Sequence, residues 1–227
     1  MIDALICKFN KNYLKYVCII ENLKSKDKEI LYLSNSSVAF KIIPSNIVML
    51  AGEGDYENAV NSVLSFKGTF FTPNEEVKVL LQKRGLTPIS CKQYLYGKQM
   101  VNSAGVSIEK LTATRENVKV VKDNYTLGYT EEQIEHLLSD RLILGGFLNG
   151  EICGFVGMHE ELSVGLLEVL DKFKRRGIGS YLLSSCVNYF LDNGLVPFCH
   201  VRSENLASIK LHEKLNCKAY EKEVYWF

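Results

Sequence analysis

The chain has 227 residues, of which 47% are hydrophobic and 23% are charged. This is the composition of an ordinary globular protein, long enough for one large domain or two small ones. Because the formal net charge is only +1, there is no basic field to hold nucleic acid or a membrane surface, and neither is expected as a partner.

The seven cysteines are scattered and show neither C-x-x-C nor C-x-x-H spacing. The sequence therefore predicts no disulfide framework and no metal site. Most of the cysteines lie among apolar residues, which indicates buried thiols in a reducing compartment. The start Met1–Ala4 has an acid where a signal peptide is basic, and no apolar run approaches the ~18 residues of a membrane span. We therefore expect a cytoplasmic protein.

The first hundred residues predict a domain that mixes helices and strands. Apolar residues at helical spacing predict a helix that reaches about Glu21. Asp55 is expected to cap a helix that runs through Phe66, and Asn74 one that runs through Lys83. Strands are predicted over three apolar runs, at 29–33, 38–43 and 47–51.

A polar stretch rich in small residues, 98–105, is predicted to be a linker. The predicted domains are therefore 1–100 and 106–227. Beyond the linker, Asn149-Gly150 between two apolar runs is a strong hairpin signal. Strands are predicted at 106–111, 142–148, 151–159, 166–170, 196–201 and 218–226.

Helices are predicted between these strands. One or two lie within 114–140, and Thr130 with Gln133 forms a capping box for the second. Another follows residue 177, ends at Asn193-Gly194, and has a single apolar face formed by Ile178, Leu182, Cys186 and Phe190. The last is predicted at 205–215.

The turn before the helix that follows residue 177 carries the clearest chemical signal. Three consecutive cations, Lys174, Arg175 and Arg176, stand between a strand and the glycines Gly177 and Gly179. Backbone N–H groups at a helix N-terminus have no intrahelical acceptor and lie at the positive end of the helix dipole. Glycine removes the side chains that would keep an anion away from that backbone. The turn therefore predicts a phosphate site, with pyrophosphate as the preferred ligand.

Two segments carry a resemblance to a known family. Lys174–Gly179 resembles the Q/R-x-x-G-x-G/A acyl-CoA signature of the GNAT superfamily of N-acetyltransferases, with Lys in the first position. Asn205–Cys217 resembles that superfamily's later N-x-x-S/A-x-x-L-Y-E-K-L-G-F segment. The strand and helix order between the two segments is also the one the family leads us to expect. The resemblance covers about half of the chain, roughly 106–227.

The resemblance also implies a fold and a branch. It implies a GNAT-like α/β fold, with a mixed, mostly antiparallel sheet flanked by helices and a second, smaller N-terminal α/β domain. Gly194–Phe198 and the ending Tyr225–Phe227 resemble the glycine N-acyltransferase-like branch. By analogy with that branch, residues 1–100 are expected to be a diverged GNAT-like half.

By resemblance, acetyl-CoA or another short acyl-CoA is the co-substrate. Backbone groups of the strand before the turn would pair with the pantetheine arm as if it were an added strand. N–H groups of the turn would hold the pyrophosphate, and Asn205 would contact the cofactor where the two central strands splay apart. The residues expected to bind the cofactor are Leu167, Val169, Leu170, Lys174, Arg175, Arg176, Gly177, Ile178, Gly179, Ser180, Asn205 and Ser208.

Three residues are candidates for catalysis. The family's usual Tyr, taken as the general acid for the CoA thiolate, is His212 here. A histidine can still donate a hydrogen bond, and its ordinary pKa of ~6.5 suits proton transfer. Glu168 and His200 are the candidate bases. The alternatives are a solvent-facing carboxylate for Glu168 and a packed, half-buried histidine for His200.

The sequence thus predicts an N-acetyltransferase. It would transfer an acetyl or short acyl group from acyl-CoA to a primary amine or amino acid by direct attack in a ternary complex, as a monomer or homodimer. Cys199 and His200 are adjacent on a strand and point to opposite faces, which argues against a Cys–His nucleophile. The alternative is a non-catalytic, regulatory acyl-CoA-binding module.

Overall fold

The computed structural model describes residues 1–43, 45–103, 105–125 and 129–227. The helices found there are α1 (Ile2–Phe9), α2 (Tyr13–Lys24), α3 (Tyr56–Asn61), α4 (Glu75–Gln82), α5 (Arg115–Asn124), α6 (Glu131–Asp140), α7 (Ile178–Asp192) and α8 (Leu206–His212). The strands are β1 (Lys28–Leu33), β2 (Ser37–Ile42), β3 (Ile47–Gly52), β4 (Thr69–Thr72), β5 (Ile89–Tyr96), β6 (Ser107–Lys110), β7 (Ile143–Leu148), β8 (Glu151–Met158), β9 (Val164–Val169), β10 (Phe198–Arg202) and β11 (Cys217–Trp226).

The chain divides into two compact units. Unit 1 consists of Met1–Leu95, His200–Ile209 and Lys218–Phe227, and unit 2 consists of Tyr96–Cys199 and Lys210–Cys217. This division differs from the predicted domains 1–100 and 106–227, because two C-terminal segments group with the N-terminal residues. The reason is strand pairing: β11 pairs with β4, with Tyr225 opposite Thr72. For the same reason the N-terminal unit is not the smaller one.

Unit 1 is built on a seven-stranded sheet of order β1-β2-β3-β4-β11-β5-β10. β1, β2 and β3 form an antiparallel meander, and β4 runs parallel to β3. One core cluster joins this sheet to α3 and α4, with Leu50, Val60 and Leu81 among its buried members. The three strands predicted from apolar runs are confirmed to within one residue at each end.

Asp55 and Asn74 occupy the predicted N-cap positions of α3 and α4, but neither side chain forms a capping hydrogen bond. Asp55 has a left-handed backbone (φ 53°) and no capping bond, and α3 ends well before the predicted Phe66. Its carboxylate instead accepts hydrogen bonds from the Tyr32 hydroxyl and, at 2.6 Å, from the Asn58 amide. Asn74 donates to the Gly52 carbonyl at 2.9 Å rather than capping α4. In both cases the side chain forms hydrogen bonds with other residues of the unit instead of with the N-terminus of the helix.

Unit 2 is built on an antiparallel four-stranded sheet of order β6-β7-β8-β9. The predicted hairpin is confirmed, with positive φ at Asn149 (53°) and Gly150 (80°), as a type I′ turn requires. The capping box that starts α6 at Thr130 is also confirmed. A core cluster packs α5 and α6 onto the sheet around Phe155.

The predicted apolar face of α7 is confirmed, since Ile178, Leu182, Cys186 and Phe190 are all buried. The fold class is also confirmed: it is a mixed α/β protein with mostly antiparallel sheets and flanking helices. Among the described helices, none has both the length and the apolar character needed to cross a membrane.

Candidate functional site

Strand β9 is distorted in the middle. Glu168 lies opposite Phe155 and Gly165 opposite Gly157, so two residues of β9, Leu166 and Leu167, face one residue of β8. This is a β-bulge, and Leu166 adopts φ 53° there, a left-handed conformation that costs a non-glycine residue about 1–3 kcal/mol. Among the described strands β9 is also the edge of its sheet. A strained edge strand of this kind can pair with a ligand or another strand.

The turn after β9 has the backbone of an anion cradle. Arg175 (φ 64°) and Gly177 (φ 81°) are both left-handed, which turns successive N–H groups toward a common side. The first intrahelical bond of α7 runs from the Tyr181 N–H to the Gly177 carbonyl at 3.1 Å. The amides of 178–180 therefore precede the hydrogen-bonding pattern of the helix and point out of its N-terminus.

The three cations of the turn have different surroundings. Lys174 Nζ lies 2.8 Å from a carboxylate oxygen of Asp171 and 3.3 Å from one of Glu168. These two carboxylates raise the pKa of Lys174. The guanidinium of Arg176 lies over the Phe173 ring at 5.8 Å. Arg175 and Arg176 are exposed and, within the described part of the chain, form no ion pair, so their charge is available to an anion.

Gly179 joins three elements of unit 2. A Cβ built on it would lie 3.5 Å from Val169 on β9 and 3.9 Å from Leu211 on α8, both ordinary contact distances. The start of α7, the end of β9 and the end of α8 therefore meet at this point. Alanine also fits here, which agrees with the G/A choice in the signature that Lys174–Gly179 resembles.

Asn205 is exposed, Ser208 is partly buried, and a capping hydrogen bond links them. The Asn205 side-chain oxygen accepts a hydrogen bond from the Ser208 N–H at 3.0 Å. Asn205 therefore starts α8, as its place in the predicted helix requires. Its expected contact with the cofactor stays a prediction.

His212, at the end of α8, is 5% exposed, and burial lowers its pKa to about 4. The imidazole is therefore neutral at physiological pH. Its Nδ1 is hydrogen-bonded to the Tyr96 hydroxyl, which lies 2.9 Å from Sγ of Cys199. Cys199 Sγ is itself 3.8 Å from Nδ1 of His212. Sequence reasoning missed Tyr96, because it lies on β5, outside the resembling segments, and carries no motif.

His200 lies in an aromatic cluster of unit 1. Its ring stacks on Phe71 with centroids 4.8 Å apart. Nε2 lies 2.8 Å from Oε1 of Gln93, and the Trp226 indole N–H donates to Nδ1 at 3.3 Å. The Gln93 amide nitrogen donates to the carbonyls of Leu14 and Lys15, so its oxygen faces His200. This network holds His200 as the neutral Nε2–H tautomer and favours the alternative of a packed histidine.

Glu168 lies on β9 with 26% of its side chain exposed and its carboxylate toward Lys174. The ion pair keeps the carboxylate next to the cationic turn. Glu168 is thus half-buried rather than fully solvated, and it belongs to the same strand–turn unit as the expected cofactor residues.

A second aromatic cluster lies in unit 2, at the end of the β8–β9 hairpin. Tyr125 and Tyr129 stack with ring centroids 5.9 Å apart, and the Tyr129 hydroxyl lies 3.1 Å from Nδ1 of His159. Burial, followed by the charge of Glu161, raises the pKa of Glu160. Tyr125 and Tyr129 also pack against the core cluster around Phe155. Their stacking shows that they pack on each other. Among the described residues, no three His, Cys, Asp or Glu side chains are grouped to hold a metal ion.

Residues 111–216 match the model of the acetyltransferase (GNAT) family. The match spans β9, the cationic turn, α7 and α8, which are the elements that Gly179 joins. This segment, a little less than half of the chain, has the pattern of a GNAT acetyltransferase domain, a domain of acyl-CoA-dependent N-acetyltransferases. None of the curated protein sequences matches the chain.

Solved structures share the fold over nearly the whole chain. A Drosophila protein of a structural genomics programme is 15% identical, with a TM-score of 0.68 over 97% of this chain and 86% of its own. A GCN5-related N-acetyltransferase from Kribbella flavida is 12% identical, with a TM-score of 0.63 over 94% of each chain. A tandem GNAT protein from the clavulanic acid biosynthesis pathway is 11% identical, with a TM-score of 0.52 over 99% of this chain and 94% of its own.

Proposed function

We propose that this protein transfers an acetyl or short acyl group from acyl-CoA to a primary amine by direct attack within a ternary complex. The observation that carries the proposal is the continuous strand–turn–helix unit of β9, the cationic turn and α7, inside a segment that matches the GNAT family. It offers an open strand edge followed by an anion cradle. A pantetheine arm that ends in a pyrophosphate needs those two features in that order.

The expected pantetheine contacts can be sharpened by the hydrogen bonds of β9. The Leu170 N–H donates to the Cys153 carbonyl at 3.0 Å, so this group is used within the sheet. Backbone groups alternate in direction along a strand, and the N–H and carbonyl of Val169 therefore face the open edge. Leu167, at the bulge, is the next candidate. We assign the amide contacts of the arm to Val169 and Leu167, and only a side-chain contact to Leu170.

The pyrophosphate is assigned to the turn. The amides from Arg175 to Ser180 would donate to its oxygens, and the exposed guanidinium groups of Arg175 and Arg176 would neutralise its charge. Lys174 would contribute only after it exchanges a carboxylate partner for phosphate. Acyl-CoA fits these residues because they present backbone N–H donors and cations. In the described part of the chain Arg175 and Arg176 form no ion pair, whereas Lys174 is paired with two carboxylates.

The reaction is balanced by two proton transfers. The amine nitrogen forms a bond to the thioester carbonyl carbon, and the carbon–sulfur bond breaks to release the CoA thiolate. Glu168 would take the proton that the amine loses, directly or through water, and pass it on through water to the thiolate, which a hydrogen bond from Nε2–H of the neutral His212 imidazole would stabilise. Strand N–H groups would stabilise the tetrahedral oxyanion, and positioning of the two substrates would supply much of the rate.

Of the two candidate bases, Glu168 is the better supported. Protonation of His200 would require the loss of the bond from the Trp226 indole, because that N–H occupies Nδ1 while Nε2 already carries the proton directed at Gln93. Glu168 needs no such rearrangement, since in the described part of the chain the one partner that faces its carboxylate is the exposed ammonium of Lys174, at 3.3 Å.

We further propose a small amino acid as the acceptor and a diverged GNAT-like origin for the first hundred residues. The first rests on the resemblance of Gly194–Phe198 and Tyr225–Phe227 to the glycine N-acyltransferase-like branch. The second is supported by the alignment of a tandem GNAT protein with 99% of this chain. We expect a cytoplasmic protein that acts as a monomer or homodimer.

The test measures thiol release when the purified protein is incubated with acetyl-CoA and a panel of amino acids and other primary amines. We expect release that depends on an amine, an N-acetylated product by mass spectrometry, and no acylated protein when the amine is omitted. Calorimetric binding of acetyl-CoA without thiol release from any amine would favour the regulatory acyl-CoA-binding module. Failure to bind acetyl-CoA at all would overturn both proposals.

A further inference from the structure

We infer that Tyr96 is a positioning residue that fixes the tautomer of His212, so that its Nε2–H can donate a hydrogen bond to the CoA thiolate. The inference rests on the proposed function for the identity of the hydrogen-bond acceptor. The tautomer itself is a property of the folded chain. Tyr96 lies outside the 111–216 segment that matches the family model, so this role comes from a part of the sequence that the family pattern does not cover.

The contact is short-range in space and long-range in sequence. Tyr96 is the last residue of β5 and is 4% exposed, and His212 is 5% exposed. Their hydrogen bond joins the phenol oxygen to Nδ1 across 116 positions of sequence. The rings also contact each other, with centroids 5.8 Å apart. The imidazole is thus held on one side by a residue of a different element.

The direction of the hydrogen bonds follows from the chemistry of the third member, Cys199. The Tyr96 hydroxyl has one proton and lies within reach of both His212 Nδ1 and Cys199 Sγ. An imidazole nitrogen is a strong acceptor and a thiol sulfur a weak one, so the phenol proton goes to Nδ1. The Cys199 thiol can then donate to the phenol oxygen, so the phenol proton and the thiol proton both have acceptors.

This direction determines what His212 can do. A neutral imidazole carries one proton, and when Nδ1 accepts a hydrogen bond that proton is on Nε2. The opposite tautomer would direct the proton of His212 into the buried Tyr96–Cys199 pair and leave Nε2 as an acceptor. A group that stabilises a thiolate by a hydrogen bond must be a donor, so Tyr96 selects the competent form. The tyrosine does not itself touch the substrate.

The test combines ring-nitrogen NMR with kinetics on Tyr96→Phe, using Tyr94→Phe as the matched control. Both substitutions remove one buried tyrosine hydroxyl from the same strand. The chain has four histidines, so the ¹⁵N signals of His212 can be assigned by comparison with single His→Gln variants. We expect the wild type to show an unprotonated Nδ1 and a protonated Nε2, and Tyr96→Phe to show a mixture of tautomers.

In steady-state thiol release we expect Tyr96→Phe to lower kcat by about tenfold with the KM for acetyl-CoA unchanged, and Tyr94→Phe to leave the His212 signals as in the wild type. A wild-type His212 that is protonated on Nδ1, or a Tyr96→Phe variant with unaltered ring signals, would overturn the inference. So would an altered tautomer at unchanged kcat. If the wild type transfers no acyl group, the proposed function fails, while the wild-type spectrum still decides the tautomer.

Discussion

Lys174 Nζ lies 3.3 Å from the Glu168 carboxylate and 2.8 Å from that of Asp171. A single lysine of the cationic turn thus touches the candidate base on β9 and an exposed carboxylate that precedes the turn. A phosphate bound at the turn, as we propose, would compete with both carboxylates for this lysine. The proposed cofactor site and the environment of the candidate base would then be physically linked.

This arrangement offers a test of Glu168 with a built-in control. Both Glu168→Gln and Asp171→Asn remove a carboxylate that pairs with Lys174, but only the first removes the candidate base. We expect Glu168→Gln to lower kcat by about 10- to 100-fold, because a positioned base contributes at least that much. Asp171→Asn should leave kcat within about threefold, because an exposed ion pair contributes little.

The measurement is kcat and KM from thiol release. Equal losses of kcat in the two variants would show that Glu168 acts only through Lys174.

A second prediction separates the phosphate site from backbone strain. Gly177 and Gly150 both have φ near 80°, and a Cβ on either would meet no atom within 4 Å. Alanine at each position therefore pays a similar conformational cost of about 1–2 kcal/mol. Only at Gly177 does the new methyl group project where phosphate would approach. We expect Gly177→Ala to weaken acetyl-CoA binding by about tenfold or more, as measured by calorimetry, and Gly150→Ala to leave the Kd unchanged. Equal Kd values in both variants would argue against phosphate binding at this turn.

A third prediction concerns His200. Its hydrogen bonds to Gln93 and Trp226 and its stacking on Phe71 are all removed in His200→Ala. We expect the free energy of unfolding to fall by about 2–4 kcal/mol, because a packed ring is lost and the indole N–H loses its acceptor. Urea denaturation followed by Trp226 fluorescence measures this, since Trp226 is the single tryptophan. A variant that unfolds like the wild type but loses kcat a hundredfold would instead make His200 the base.

A fourth prediction is the pH dependence of stability. Burial holds the pKa of His212 at about 4 in the folded protein, below its ordinary value of 6.5. Between these two values the unfolded chain binds a proton that the folded chain does not. The contribution of this group to stability is therefore intact above about pH 6.5 and falls as the pH drops toward 4, by up to about 3 kcal/mol.

Urea unfolding of the wild type and of His212→Gln between pH 7.5 and pH 4.5 measures the difference. The wild type should lose stability more steeply on acidification, with a slope that exceeds that of the variant by as much as about 1.4 kcal/mol per pH unit. Parallel curves would mean that His212 is solvated enough to titrate normally.

Much of this protein could be predicted from local patterns. The Thr130 capping box, the Asn149-Gly150 hairpin and the buried face of α7 were all predicted from spacing and confirmed. Each depends on residues within a few positions of one another, whose backbone preferences hold in almost any context. The strand–turn–helix unit from β9 to α7 belongs to the same category, which is why the anion site could be proposed from the sequence.

The other features depend on the tertiary structure, because a side chain forms its hydrogen bonds with the best partner that the folded chain provides. Asn74 donates to the backbone carbonyl of Gly52 instead of capping its own helix, and Asp55 accepts a hydrogen bond from Tyr32. The bulge at Leu166 is no sequence motif but a consequence of strand pairing.

The sequence by itself predicted the proposed donor site of this protein: a cationic, glycine-containing turn after a strand, and the histidine that stands where the family has a tyrosine. Only the tertiary structure decided which form of that histidine is present. The partner that sets it, Tyr96, is 116 positions away, and no local preference encodes a contact between a strand end and a helix end so far apart. Burial of both groups, which only the packed fold provides, makes the imidazole neutral and its hydrogen bond directional.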